Sequence, residues 1–178
     1  LQSVTYRSTS EDPTSSSASR TVTWSVTDAN SDGAGAATSV AVTSTVNITA
    51  GNDAPVLVAG GTLSYTENGV ATAIDSGVSV SDSDDTQIAG ATVTISAGLT
   101  SGDVLDFTTL TGISGSYVAG TGVLTLTGTT TLANYQTALR TVTYRSTSED
   151  PTSSGASRTV TWSVTDANSD GAGAATSV

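Results

Sequence analysis

Carboxylate and amide side chains, gathered in short clusters, are the residues of this chain that can do chemistry. Acidic residues number 16 and basic residues 5, which gives a net charge of −11. Hard cations such as Ca²⁺ prefer carboxylate, amide and carbonyl oxygens. His and Cys are absent, which excludes the usual zinc sites and catalysis by histidine. The charge also argues against nucleic-acid or anionic-membrane partners, so the clusters favour cation binding.

One loop that begins Asp-x-Asn-x-Asp-Gly occurs twice. The first copy starts at Asp28, and the second starts at Asp166 and adds Asn168 and Asp170 as candidate ligands. The pattern matches the start of a calcium loop. Serine stands at the twelfth position instead of the bidentate glutamate of an EF-hand, and the flanks are strand-like, so an EF-hand is excluded. An Asx-rich hairpin turn remains the alternative to a metal loop.

A second set of oxygen ligands surrounds a short joint at residues 51–56. Pro55 within this joint favours a break between strands or the start of one. The candidate ligands are Asn52 and Asp53 in the joint and Asp82, Asp84 and Asp85 in a loop beyond it. Such a loop is more often simply solvated, but together with Asp53 and Asp166 it predicts a shared cation site.

An internal duplication sets the domain organisation. Residues 1–40 match residues 139–178 at an offset of 138 (139 − 1), with 37 of 40 positions identical. A period of that length is the size of a domain, and near-identity indicates a tandem array. We therefore expect the end of one repeat at residues 1–50, a linker at 51–56, and most of the next repeat at 57–178.

The segments between the clusters predict an all-β fold. Apolar residues alternate with threonine or serine in segments 91–96, 123–127, 140–144 and 158–165. A period of two buries one face of a strand, and many short strands with Gly-rich turns indicate a β-sandwich. Leu132, Tyr135 and Leu139 fall at helical spacing and predict one short helix at residues 131–139. The aromatic residues expected to pack in the core are Phe107, Tyr144 and Trp162.

Strand direction assigns each loop to one end of the sandwich. The end that begins the second repeat is expected to gather Asp53, Asp82, Asp84, Asp85, Asp166 and Asp170. The other end is expected to gather Glu67, Glu149 and Asp150, and the counterparts of the last two in the first repeat are Glu11 and Asp12. Both acidic sets meet at the joint, where cations would relieve their mutual repulsion. Asp75, Asp103 and Asp106 are expected to be surface acids.

Several of these segments together resemble a known family. Residues 52–56, 80–84 and 164–166, followed by a Gly-rich hairpin, resemble cadherin-like tandem repeats of bacterial surface proteins. Residues 131–145 are similar to repeats of the very long RTX-type adhesins of Gram-negative bacteria. The resemblance implies Ig-like or cadherin-like β-sandwich repeats with Ca²⁺ at each joint. The repeat is longer than a cadherin domain, and the Asp-Arg-Glu motif of cadherins is absent.

The resemblance also implies roles for particular residues. The joint ligands would be Asn52 and Asp53, Asp82 and Asp84, Asp166, and Glu11 and Asp12 of the preceding repeat. Glu67 and Glu149 would serve the next joint. The residues in these roles carry oxygen ligands alone, which matches the preference of Ca²⁺.

The favoured function is that of an extender repeat, held straight by Ca²⁺ at its linkers, in an adhesin on the bacterial cell surface. Its partners would be neighbouring repeats of the same protein, without nucleic acid and without membrane insertion. A module that binds glycan or ice through threonine-rich strand faces is the alternative. An enzyme, such as a two-carboxylate glycosidase, is disfavoured because the acids lie at domain ends, away from Tyr and Trp.

The duplication also predicts an assembly. Residues 37–50 correspond to the strand that would follow residue 178, so the second repeat should present an open sheet edge. We expect residues 1–50 of one molecule to pair with that edge on another, head to tail.

Overall fold

The computed structural model describes residues 3–169 and 171–177, and the chain divides into two compact units, Leu1–Gly51 and Asn52–Val178. The elements in chain order are β1 (Ser19–Trp24), β2 (Val42–Asn47), β3 (Val56–Val58), β4 (Thr72–Ala73), β5 (Ser79–Ser81), β6 (Gln87–Ala97), β7 (Asp103–Asp106), β8 (Ser114–Val118), β9 (Val123–Thr131), α1 (Leu132–Arg140), β10 (Thr143–Ser146) and β11 (Thr159–Asp166).

The described residues of the first unit, from residue 3 onward, form one antiparallel hairpin. β1 pairs with β2 so that Ser19 lies opposite Asn47 and Trp24 lies opposite Val42. A bridge between Thr27 and Thr38 begins this pairing next to the intervening loop. The hairpin has one sheet layer and leaves large apolar side chains such as Val26 and Val42 exposed.

The second unit is an all-β, sandwich-like fold with one short helix, which confirms the predicted fold class. Its strands form three antiparallel sheets, with orders β11-β6-β9-β8, β4-β10-β7 and β3-β5. Neighbouring strands differ in direction, so the loops collect at the two ends of each sheet.

The core of the second unit follows the predicted alternation. In β6, Ala91, Val93 and Ile95 are buried, and the threonines between them are half-buried on the other face. Leu124 and Leu126 of β9 meet them from the paired strand. One face of the sheet is therefore apolar and the other carries hydroxyl groups, as a period of two requires.

Helix α1 spans Leu132–Arg140 and confirms the predicted helix. Thr131 caps its start by accepting a hydrogen bond from the Asn134 amide at 3.3 Å, and Tyr135, Ala138 and Leu139 are buried. Thr141 caps its end, so the strand predicted from residue 140 begins instead at Thr143. The helix closes part of the core and lies against the strand that leads to the acidic loop.

Two side chains of α1 hold β5 in place. Gln136 Oε1 accepts a hydrogen bond from the Val80 amide at 3.2 Å, and Arg140 Nε donates to the Val78 carbonyl at 2.7 Å. β5 ends at Ser81, immediately before Asp82. The helix therefore fixes the point at which the acidic loop begins.

Asp103 corrects a prediction, because this residue is buried and not a surface acid. Its carboxylate accepts hydrogen bonds from Arg158 Nε at 2.6 Å, Tyr144 Oη at 2.7 Å and the Thr100 amide at 2.8 Å. Burial raises the pKa of Asp103, but these hydrogen bonds outweigh burial and hold the pKa below its ordinary value. Among the predicted aromatic anchors, Tyr144 is buried, and Phe107 and Trp162 are half-buried against the core.

Candidate metal centre

Four segments of the second unit converge at one end of its sheets. The segments are residues 52–53 before β3, residues 82–85 after β5, the start of β6, and the end of β11. β3 and β5 pair with Val56 opposite Ser81, and β6 and β11 pair with Ile88 opposite Asp166. Antiparallel pairing therefore places the start of one strand beside the end of its neighbour and assembles residues far apart in sequence.

Three aspartates form the centre of this end. Single carboxylate oxygens of Asp82, Asp85 and Asp166 all lie within 4.8 Å of one another, close enough to hold one metal ion. Asp166 is 0% exposed and Asp85 is 3% exposed. Ionised carboxylates this deeply buried need a partner that compensates their charge.

The carboxylates of Asp82 and Asp166 accept hydrogen bonds from backbone amides of their own loops. Asp82 Oδ1 accepts hydrogen bonds from the amides of Asp84 and Asp85 at 3.3 and 3.2 Å. Asp166 Oδ1 accepts from the Asn168 amide at 3.1 Å, and its Oδ2 accepts from the Ala175 amide at 2.8 Å. These Asx-type turns fold the two loops locally and aim both side chains into the same space.

Residues 52 and 53 are tied to the same centre by further hydrogen bonds. Asn52 Nδ2 donates to Asp166 Oδ2 at 2.9 Å, and the Asp53 amide donates to Asp84 Oδ2 at 2.9 Å. Asp53 Oδ2 in turn accepts from the Ser83 hydroxyl at 3.0 Å, and the Asp53 side chain is exposed. The segment before β3 is thus anchored to both acidic loops.

Four residues at this end of the unit each have one buried oxygen atom without a hydrogen-bond partner. Within the part of the second unit that the structure describes, the atoms are Asn52 Oδ1, Asp82 Oδ2, Asp84 Oδ1 and Asp85 Oδ2. Leaving a buried polar atom unsatisfied costs about 1–3 kcal/mol, and more for a charged group. Four such acceptors at one end of one unit match the donor set that a bound cation requires.

Basic side chains do not neutralise this centre. The one ion pair within residues 3–169 and 171–177 joins Arg158 to Asp103, outside the cluster. Burial raises the pKa of Asp82, and the neighbouring carboxyl group of Asp84 adds to the rise. A bound cation would supply the positive charge that the described side chains do not bring to these carboxylates.

Asp28 provides an internal comparison for Asp166. The Asp28 loop has the same turn geometry, with Oδ1 accepting from the Asn30 and Ala37 amides at 3.0 and 3.3 Å. Asp28 is nonetheless exposed, whereas Asp166 is buried and in contact with Asn52 of the joint. The loop motif therefore folds as a hairpin turn by itself, and burial of its aspartate depends on the surrounding segments.

The remaining predicted ligands lie elsewhere or have other partners. Asn168 Oδ1 accepts the Gly173 amide of its own loop, and Asp170 lies outside the described residues. Glu67, Glu149 and Asp150 are exposed, and residues 149–150 precede β11 at the end of the strand remote from Asp166. Glu11 and Asp12 belong to the first unit, where Asp12 Oδ1 is buried without a hydrogen-bond partner. A role for these two at the joint stays a prediction.

Ser169 is a member of the centre that sequence reasoning missed. Its amide donates to Asp85 Oδ1 at 2.7 Å and its hydroxyl contacts the same oxygen. This contact joins the two acidic loops and leaves Asp85 Oδ2 without a partner. The Asp-x-Asn-x-Asp-Gly pattern gave no signal for the residue, because serine occupies one of its unspecified positions.

Among the described residues, no helix is long and apolar enough to cross a membrane. Comparisons with known proteins found no protein family, curated protein or solved structure that matches this chain.

Proposed function

We propose that this chain is a structural extender repeat of a long bacterial surface adhesin, non-enzymatic and extracellular, stiffened by Ca²⁺ at the joints between repeats. The observation that carries the proposal is the set of four buried, unpartnered oxygens around Asp82, Asp85 and Asp166. The near-identical internal duplication supports it, because repetition supplies length to a surface stalk. Cell-surface placement and the neighbouring repeats as partners follow from the resemblance of the sequence to cadherin-like repeats and RTX-type adhesins.

Ca²⁺ is the cation that these ligands suit best. Their oxygens come from three carboxylates of the cluster, together with Asn52 and Asp84. Ca²⁺ takes about 6–8 oxygens in flexible geometry, whereas Mg²⁺ demands a near-ideal octahedron. Backbone carbonyls, water, and acids of a preceding repeat such as Glu11 and Asp12 would complete the shell.

The stiffening follows from the position of the ligands along the chain. Asn52 and Asp53 directly follow the boundary at Gly51. A short linker without further contacts behaves as a flexible tether. A cation held by the linker and by both neighbouring repeats would remove that freedom and couple binding to order.

The test is a Ca²⁺ titration followed by calorimetry and by melting. At a free concentration of about 100 Kd, Ca²⁺ should stabilise the second unit by about 2.7 kcal/mol. Asp85→Asn should abolish most of this gain, and Asp28→Asn, on the exposed copy of the loop, should retain it. Mg²⁺ should give a much smaller shift. Melting that is insensitive to Ca²⁺, or equal losses in both variants, would refute the proposal.

A ligand-binding module for glycan or ice remains the alternative, and the structure gives it less support. Hydroxyl groups on the strand faces pair with one another, as Thr92 with Ser163 and Thr165 with Thr176, each at 2.7 Å. Hydroxyls satisfied in this way offer fewer free groups to a flat ligand. Binding of glycans or ice by the calcium-free chain would favour the alternative.

A further inference from the structure

The first unit holds the chain as far as Ile48. The Ile48 amide donates a hydrogen bond to the Ala18 carbonyl at 2.9 Å, just beyond the end of the β1–β2 hairpin, where Asn47 lies opposite Ser19. Residues 49–51 then have no hydrogen bond to any part of the chain that the structure describes. The hairpin therefore fixes the backbone up to Ile48, and three residues without such support separate it from the second unit.

The second unit holds the chain again from Asn52 onward. Asn52 Nδ2 donates to Asp166 Oδ2, and the Asp53 amide donates to Asp84 Oδ2, each at 2.9 Å. Pro55 is buried, and β3 begins directly after it. Each of these contacts joins groups of the protein directly, so none of them needs a cation as a bridge. The segment before β3 is therefore docked on the second unit by contacts within that unit.

The segment between these two anchored stretches has little packing around it. Thr49 and Gly51 are exposed, and a Cβ added at Gly51 would meet no atom within 4 Å. Each residue has two soft backbone dihedrals, so the three residues have about six that neither unit restrains. Such a segment spans at most about 10 Å, which makes it a short flexible hinge and not a long tether.

We propose that the chain pivots at residues 49–51 and that residues 52–55 are a fixed part of the second unit. The flexible part of the joint then lies closer to the first unit than the linker predicted from the sequence, residues 51–56, and it excludes Pro55. The placement of this pivot depends on hydrogen bonds and burial and is independent of any cation. Its consequence for the stiffness of the joint rests on the proposed function.

The position of the pivot separates cation binding from stiffening. The candidate ligands of the metal centre all lie after the pivot and within the second unit, and they are Asn52, Asp82, Asp84, Asp85 and Asp166. A cation bound by these residues alone would leave the dihedrals of residues 49–51 free. It would restrict them only with a further ligand from a residue before the pivot. The preorganised centre should therefore fill first, and the joint should stiffen when such a ligand is added.

Nitroxide labels at single cysteines test the pivot in chelator, since the sequence has no Cys. Labels on the full-length variants Thr49→Cys and Ala54→Cys, both at exposed positions, should differ in rotational mobility by about threefold or more, with position 49 the more mobile. Adding Asn52→Ala and Asp84→Ala to Ala54→Cys removes both hydrogen bonds of the docked segment and should raise the mobility of its label. Adding Asp85→Asn instead keeps them and should not. Equal mobility at positions 49 and 54, or a label at 54 that loss of both hydrogen bonds leaves unchanged, would overturn the proposal.

A matched pair of Gly-Gly insertions tests the separation of binding from stiffening. The insertion after Ala50 lengthens the pivot, so the Ca²⁺ affinity measured by calorimetry should stay within about twofold of that of the unmodified chain. In this variant Ca²⁺ should narrow the distribution of dimensions in small-angle scattering much less. The insertion after Asp53 lies inside the docked segment and should weaken Ca²⁺ binding by at least about tenfold.

Equal losses of Ca²⁺ affinity in the two insertion variants would overturn the proposal, because the pivot and the docked segment would then be one flexible linker. If the unmodified chain binds no Ca²⁺, the proposed function fails, and the label mobilities in chelator still decide the position of the pivot.

Discussion

Two carboxylates of the metal centre, those of Asp82 and Asp85, divide their two oxygens between two tasks. On Asp82 and Asp85, Oδ1 accepts hydrogen bonds from neighbouring amides and Oδ2 stays buried without a partner. The first oxygen fixes the loop, and the second is held ready for a ligand. Preorganisation of this kind lowers the conformational entropy that the loop would otherwise lose when a cation binds.

Asp85→Asn should change stability in opposite directions with and without Ca²⁺. An amide retains one oxygen for Ser169 and removes one negative charge from a crowded centre, so the variant should melt higher in chelator. In saturating Ca²⁺ it should melt lower than the unmodified chain, because it lacks a charged ligand. Differential scanning calorimetry in both buffers measures the crossover.

Asp28→Asn is the control for the crossover, because it makes the same charge change in an exposed loop. It should shift melting of the second unit by less than about 0.5 kcal/mol in either buffer. If Asp85→Asn destabilised the protein equally in chelator and in Ca²⁺, the residue would be a folding residue and not a ligand.

The Asp103–Arg158 pair should stabilise the second unit in a pH-dependent way. Arg158→Met leaves a buried carboxylate uncompensated and should cost about 3–5 kcal/mol near neutral pH. Because the folded-state pKa of Asp103 is lowered, the contribution of this group is present above its unfolded pKa of about 3.9. That contribution is lost as the pH falls through the folded-state pKa.

Denaturant unfolding between neutral and acid pH, in chelator, measures this dependence. The stability difference between Arg158→Met and the unmodified chain should shrink below about pH 4. Arg20 is the counterpart of Arg158 in the first unit (158 − 138 = 20), and Arg20→Met should change the stability of the second unit by less than about 0.5 kcal/mol. A pH-independent difference would contradict the assignment.

At the scale of elements, the loops that carry the acids fold largely by themselves. The loops after Asp28 and Asp166 share the same backbone geometry, with Asn30 at φ 51° and Asn168 at φ 54°. Asparagine tolerates this left-handed conformation better than most residues. What differs between the two copies is the set of segments around the loop, and that set determines whether its aspartate is buried.

A bulge in β9 adapts this strand to helix α1. The register between β6 and β9 shifts at Gly128, whose φ is 123°, and the Gly128 carbonyl accepts a hydrogen bond from Tyr135 Oη at 2.8 Å. Burial raises the pKa of Tyr135 to about 12, so the phenol stays protonated as the donor. The bulge thus orients α1, which in turn holds β5 before the acidic loop.

Gly128→Ala should therefore destabilise the second unit by roughly 2–3 kcal/mol. The change adds a side chain at a disfavoured φ, and its Cβ would clash with the Gly112 carbonyl oxygen. Gly120→Ala is the control, because an added Cβ there meets no atom within 4 Å. Chemical denaturation measures both variants, and equal stabilities would show that the bulge tolerates ordinary residues.

At the scale of the whole molecule, Ca²⁺ should restrict motion at the joint. Small-angle scattering should give a longer maximum dimension with a narrower distribution in Ca²⁺ than in chelator. Asp53→Ala should remove much of this change and leave the β circular dichroism intact, because Asp53 is exposed and outside the core. Loss of the β signal in this variant would place Asp53 among the folding residues instead.

Local patterns in the sequence determined the kinds of element in this protein. Alternation of apolar residues with threonine predicted strands such as β6 and β11, because one face of a half-buried strand must be apolar. The spacing of Tyr135 and Leu139 predicted α1, because residues four positions apart lie on the same face of a helix and can both be buried. The acidic loops were also recognisable, since their turn chemistry depends on residues two to three positions apart.

Tertiary structure alone decided which of these groups become buried and which oxygens stay free. Val4 is 71% exposed and its counterpart Val142 is 0% exposed, although the two lie in nearly identical segments. Asp103 is buried because Arg158, 55 residues away, reaches its carboxylate. Ser169 meets Asp85 across 84 residues. Such contacts depend on strand pairing between distant segments, and no local pattern encodes a partner at that separation.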